Sequence, residues 1–91
     1  MSEATRTKAP KRRPEAAYRV IDGQAMIAVA GRSEVHLLNP TGTFILSQID
    51  GTRSVSEIAR ALAAEFDVPE GTALQDVQEF IDRLMREGVL E

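Results

Sequence analysis

The chain has 91 residues, a hydrophobic fraction of 43% and a formal net charge of −3, which allows one domain with one small core. No run of about 18 apolar residues occurs, and no apolar stretch follows the charged N-terminus, so neither a membrane span nor a secretory signal is expected. There is no cysteine, which excludes disulfide and thiolate chemistry, and a cytoplasmic location fits that composition.

The net charge hides an asymmetry. Residues 1–13 carry five basic side chains and one acidic, a net +4, whereas residues 14–91 carry six basic and thirteen acidic, a net −7. The first segment is poor in apolar residues, and Pro10 and Pro14 punctuate it. It buries too little surface to offset its ordering entropy. A disordered basic arm over residues 1–15 and a folded domain over 16–91 are therefore expected.

The first strand is expected at 18–21. Asp22-Gly23 follows, a two-residue hairpin signal, because a type I′ turn needs positive φ at both central positions. Met26, Ile27 and Val29 mark a second strand over 24–30. Gly31-Arg32-Ser33 breaks it, and 34–38 reads as a third strand with partial alternation. Asn39-Pro40 then starts a helix, with Asn capping free N–H groups and proline at the first helical position. Phe44, Ile45 and Ile49 keep helical spacing up to Asp50-Gly51. Ser54-Val55-Ser56-Glu57 is a capping box, and Val55, Ile58, Ala59, Leu62 and Phe66 follow one face of a second helix that Pro69 ends. A second box, Thr72-Ala73-Leu74-Gln75, opens the last helix. Leu74, Val77, Ile81 and Leu84 form its stripe, Phe80 and Met85 flank it, and Gly88 stops it. Three strands followed by three helices define an α+β fold, an antiparallel meander with a winged helix-turn-helix-like arrangement.

Catalytic equipment is sparse. His36 has no second histidine or cysteine to complete a metal site, which needs three or four donors, and it reads as a half-exposed strand residue. No glycine-rich phosphate loop is present. Ser54 serves as a cap. The pairs Asp76/Glu79 and Asp82/Glu87 read as the solvated face of the last helix. No enzyme activity, metal or cofactor is expected.

The run Leu38-Asn39-Pro40-Thr41-Gly42, with Phe44-Ile45, Ile49-Asp50-Gly51 and Thr52-Arg53-Ser54-Val55-Ser56-Glu57-Ile58, resembles the PqqD family. Leu62, Phe66-Asp67-Val68 and Leu84-Met85-Arg86-Glu87-Gly88-Val89-Leu90 extend the resemblance to residues 18–90. It implies a peptide-recognition domain of ribosomal-peptide pathways, built from three antiparallel strands and three helices. It also implies that the leader of a precursor peptide adds as a strand along the third strand, beside the third helix, and that the domain docks on a radical S-adenosylmethionine enzyme. The basic arm is no part of the family pattern.

The residues themselves permit that mechanism. An edge strand presents unpaired N–H and C=O groups that recruit another strand. Glu34, Val35, His36, Leu37 and Leu38 would pair with an extended peptide, with main-chain bonds giving affinity and pockets for alternate side chains giving selectivity. Val35, Leu37, Phe80 and Leu84 are expected to form an apolar groove, with Arg83 placed to meet a leader carboxylate. The same edge can pair with a second copy, giving a homodimer. The alternative is a DNA-binding winged-helix regulator. Electrostatics argue against it, because residues 72–88 carry four acidic and two basic side chains where a polyanion would have to approach.

Overall fold

The computed structural model describes residues 9–91. Strands β1 (Ala16–Ile21), β2 (Gln24–Val29) and β3 (Val35–Leu37) form an antiparallel sheet in the order β1-β2-β3. Helices α1 (Pro40–Gln48), α2 (Val55–Phe66) and α3 (Glu70–Arg86) follow. The expected α+β meander is thus present. Asp22 and Gly23 both take positive φ, 52° and 80°, as a type I′ turn requires. Ala25, Ile27 and Val29 alternate into the core while Gln24, Met26 and Ala28 face away, the period-two pattern of a sheet with one covered face.

The helices supply the other half of the core. Ile45 and Leu46 of α1, Val55, Ile58, Ala59 and Leu62 of α2, and Ala73, Val77, Ile81 and Leu84 of α3 are all buried in one cluster with Ile27. Asn39 caps α1 by accepting from the Gly42 N–H at 2.7 Å. The Ser54–Glu57 capping box of α2 is reciprocal: the Glu57 N–H donates to Ser54 Oγ, and the Ser54 N–H donates to Glu57 Oε1. The α3 C-terminus closes as a Schellman motif. Gly88 sits at φ +79°, the Val89 N–H reaches the Leu84 carbonyl at 2.9 Å, and the Gly88 N–H reaches Met85 at 3.2 Å.

β1 starts two residues earlier than expected, and β2 and β3 are shorter; three helix boundaries also differ. α3 begins at Glu70, not at Thr72. Pro69 occupies the cap position without any side-chain bond, and the Ala73 N–H donates to the Pro69 carbonyl. Nothing in Glu70-Gly71 prevents that turn from forming, and a carboxylate at the first position suits the helix dipole, so Thr72 is an ordinary first-turn residue. α1 ends at Gln48, before Asp50-Gly51. α2 ends because Asp67 turns left-handed at φ 53°, ahead of Pro69.

A larger correction concerns the expected arm. Its residues 1–8 lie outside the described residues. Residues 10–13, however, run antiparallel to the C-terminal tail. The Lys11 N–H donates to Glu91, the Glu91 N–H to Lys11, and the Arg13 N–H to Val89. Arg12 pairs with Leu90, stacks over the Tyr18 ring and donates to the Ala16 carbonyl. Pro10 is buried, and its carbonyl accepts from the Gly51 N–H. The composition of the arm did not register that residues 89–91 offer it a partner strand.

The turn between α1 and α2 is organised by Asp50. One carboxylate oxygen accepts from the Thr52 N–H, the Arg53 N–H and the Thr52 hydroxyl. Those bonds, the backbone ones foremost, draw its pKa from an ordinary 3.8 down to about 2. Glu57 is lowered in the same direction, chiefly by the Ser54 N–H and then by the Ser54 hydroxyl. A carboxylate depressed in the folded state contributes stability that is complete above its unfolded pKa and is lost as pH falls through the folded value. For Asp50 that window runs from just above 3.8 down to about 2. Asp50→Asn should therefore flatten the acid limb of a melting-temperature profile below pH 4 without altering its neutral plateau in slope. An acid limb identical to that of the wild type would show that this turn does not differ between the folded and unfolded states in proton affinity.

Candidate functional site

β3 is one edge of the sheet, β1 being the other, and among the described residues no strand lies beyond β3. Its polar groups can be assigned from the ladder. β2 and β3 pair as Met26 with Leu37, Ile27 with His36 and Ala28 with Val35. The Leu38 N–H donates to the Ala25 carbonyl at 2.9 Å. Antiparallel pairs alternate between bonded and non-bonded positions, so His36 directs its N–H and C=O to β2. Val35 and Leu37 direct theirs outward. The free ribbon is therefore made by Val35 and Leu37, with His36 between them serving the fold.

Beside this edge lies a cleft of about 480 Å³ lined by Leu37, Leu38, Gly42, Ile45, Phe80 and Arg83, with Asn39, Thr41, Asp76 and Glu79 at its rim. Gly42 lets α1 approach α3. A Cβ there would stand 3.0 Å from the Phe80 ring and 3.2 Å from Asn39 Oδ1, closer than carbon atoms settle in a packed interior. The wall from α3 is a stripe at helical spacing, Asp76, Glu79/Phe80 and Arg83, continued by Glu87 beyond the cleft and flanking the core stripe Val77, Ile81 and Leu84. At the far end of the stripe His36 Nδ1 stands 3.3 Å from Glu87 Oε2, and Arg83 Nε stands 3.5 Å from Glu87 Oε1. The histidine contact is an ion-pair distance without hydrogen-bond alignment. Glu87 Oε2 is buried and has no hydrogen-bond partner among the described residues.

The residues singled out from the sequence separate into distinct groups. Val35 and Leu37 belong to the edge, and their side chains point to the outer face of the sheet, 57% and 61% exposed; Leu37 still borders the cleft, whereas Val35 is not among its lining residues. The register decides this, because they flank His36, which pairs with the inward-facing Ile27. Leu84 is fully buried and is core, not groove. Its position in the i, i+3, i+4 series with Val77 and Ile81 already implied as much. Leu38 is buried and its side chain forms part of the cleft floor, with Phe80 half-buried above it. Glu34 is exposed just before β3. His36 is not a half-exposed strand residue: its side chain is only 15% exposed against α3. Arg83 lies at the cleft as expected, but Glu87 already faces it. Gly42, Asp76, Glu79 and Glu87 were not singled out as site residues. The second stripe on α3, offset from the core stripe, was the signal available for three of them.

No cluster of metal-binding side chains occurs among the described residues, and none of their helices is long and apolar enough to cross a membrane.

An antiparallel meander whose β3 edge adjoins a cleft, backed by three helices, defines a three-stranded, three-helix α+β domain. Residues 24–90 match the family described as coenzyme PQQ synthesis protein D (PqqD), and the chain belongs to that family. No curated protein matches it in sequence. Among solved structures, TbiB1 in complex with the TbiA(beta) leader peptide superposes with a TM-score of 0.82 at 23% identity, covering 89% of this chain and 94% of that one. A lasso peptide synthetase B1 complexed with the leader peptide gives 0.82 at 22%, covering 91% and 98%. The solution structure of the PqqD truncation of Methylobacterium extorquens PqqCD, described as a stand-alone recognition element for ribosomally synthesized and post-translationally modified peptides, gives 0.75 at 21%, covering 99% of both. These likenesses establish the shared fold.

Proposed function

We propose that this domain is a non-catalytic adaptor that binds the leader segment of a precursor peptide by strand addition and presents it to a modifying enzyme, such as a radical S-adenosylmethionine protein. The observation that carries this reading is the outward N–H and C=O ribbon of Val35 and Leu37 beside an open cleft. Family membership supports it, as do two structures of the same fold that hold leader peptides. Main-chain bonds to Val35 and Leu37 fix the guest, and its alternate side chains enter the cleft between Leu38 and Phe80. Glu34, His36 and Arg83 border the guest, while Leu84 supports Phe80 from the core side. A duplex-DNA reading meets an acidic stripe on α3, where Asp76 and Glu79 outnumber Arg83 along the cleft.

The test is a titration of the domain with a synthetic leader peptide, following backbone amide shifts. The Val35 and Leu37 amides should move most, with cleft residues 76–83 following, and the His36 amide less. Dilution of the free domain separates pairing with a second copy through the same edge. Shifts that avoid β3 altogether would remove the strand-addition reading.

A further inference from the structure

The cleft next to β3 does more than admit a strand; its charges are unevenly placed along the guest's path. Two contacts orient α3 against β3 and α1: His36 of β3 meets Glu87, and Gly42 of α1 meets Phe80. Passing from His36 toward α1 therefore means passing from Glu87 through Arg83 and Phe80 to Glu79 and Asp76. The eleven steps from Glu87 back to Asp76 span about 16 Å of helix, the reach of about five residues of extended chain.

The ladder fixes which guest side chains look inward. Guest residues opposite Val35 and Leu37 bond to them and point to the outer face, where those two side chains point. Guest residues opposite His36 and Leu38, and the next one beyond, point into the cleft. The position opposite His36 meets Glu87 with Arg83 already beside it at 3.5 Å, so a charge there encounters both signs. The position opposite Leu38 meets Leu38, Ile45 and Phe80 and takes an apolar side chain. The position beyond it meets Glu79 and Asp76, both exposed. Among the described residues no ion pair engages either of them.

Resting on the strand-addition reading, we infer that the guest of this domain carries a basic side chain two residues from its apolar anchor, on the side that faces Glu79 and Asp76. This reverses the simpler expectation that Arg83 selects a leader carboxylate: Arg83 is balanced by Glu87, and the unbalanced charge of the cleft is negative. Glu79 and Asp76 are thus specificity residues, and the cleft discriminates guests by charge at one position only.

The experiment uses synthetic nonapeptides with an extended Thr/Ser host and a central leucine. Lysine, glutamine or glutamate is placed two residues before or two residues after the leucine. Affinity is read from amide shifts of the full domain at millimolar peptide, with Val35 and Leu37 as reporters of strand addition. At one of the two positions lysine should bind roughly five- to ten-fold tighter than glutamate, the size expected of two solvent-exposed ion pairs gained against two repulsions, and the other position should be indifferent. The preference should shrink in 0.5 M salt, where screening is nearly complete beyond about 4 Å, and vanish in the Asp76→Asn/Glu79→Gln variant, whose melting temperature is recorded alongside. Glutamate binding as well as lysine at both positions, with Val35 and Leu37 still shifting, overturns the charge inference and leaves strand addition standing. A lysine preference that survives the double variant also overturns it. Peptides that leave Val35 and Leu37 unmoved overturn both.

Discussion

Leu37→Pro should lower the affinity for a leader peptide by roughly ten- to a hundred-fold, the equivalent of leaving a bonded main-chain group without its partner in a desolvated site. The expectation follows from the ladder. The Leu37 N–H points away from β2, because Leu37 faces Met26 across a non-bonded position while Leu38 supplies the bond to Ala25. Proline at 37 therefore removes a donor that the free protein does not use and places its ring in the guest's path. Edge strands tolerate proline on their open side, so the melting temperature should change little. His36→Pro is the control: its N–H lies in the β2–β3 ladder, and the same chemistry one residue earlier should destabilise the sheet. Affinity by fluorescence anisotropy and melting by circular dichroism separate the two effects. Leu37→Pro binding a leader like the wild type would place the guest elsewhere. A variant that loses its fold would move the test to guest peptides N-methylated at alternate residues, where only one phase should lose affinity.

Ile58→Ala should cost about 2–4 kcal/mol, as large-to-small changes at well-packed positions do. Ile58 is wholly buried one turn into α2, in the cluster that joins α1, α2, α3 and Ile27 of the sheet. α2 packs against both α1 and α3, so helices on two sides limit how far the site can collapse around the deletion. For a domain whose total stability is of order 5–15 kcal/mol, such a loss is a large part of the whole. Urea denaturation should show a lower midpoint with an unchanged slope. A wild-type midpoint would mean that the packed face of α2 is not the one centred on Ile58.

Both experiments turn on features that differ in how far the sequence reveals them. The Ile58 face repeats every 3.6 residues within one helix. Likewise the Asp22-Gly23 turn, the Asn39 and Ser54 caps and the Gly88 stop each rest on bonds or torsions spanning four or five residues, and all were legible. The start of α3 was misplaced because Thr72-Ala73-Leu74-Gln75 has the residue types of a capping box, whereas nothing stops the helix from starting two residues earlier. The arm was misjudged for a different reason: Lys11 to Arg13 pair with Val89 to Glu91, residues more than seventy positions away that no local pattern connects.

In the candidate site, the existence of an edge at β3 follows from strand order and was readable. The direction of its side chains was not, because a shift of one residue exchanges the two faces; only pairing with Ile27 turns His36 inward and Val35 and Leu37 outward. The sequence by itself determined the elements, their caps, the core stripes of α2 and α3 and the family to which the chain belongs, since these depend on residues near one another in the chain or on their order. Tertiary structure alone decided which backbone groups stay free, that Gly42 admits Phe80, that Glu87 occupies Arg83, and that the charge left over in the cleft is negative. Each of those depends on the distance between segments that only packing brings together.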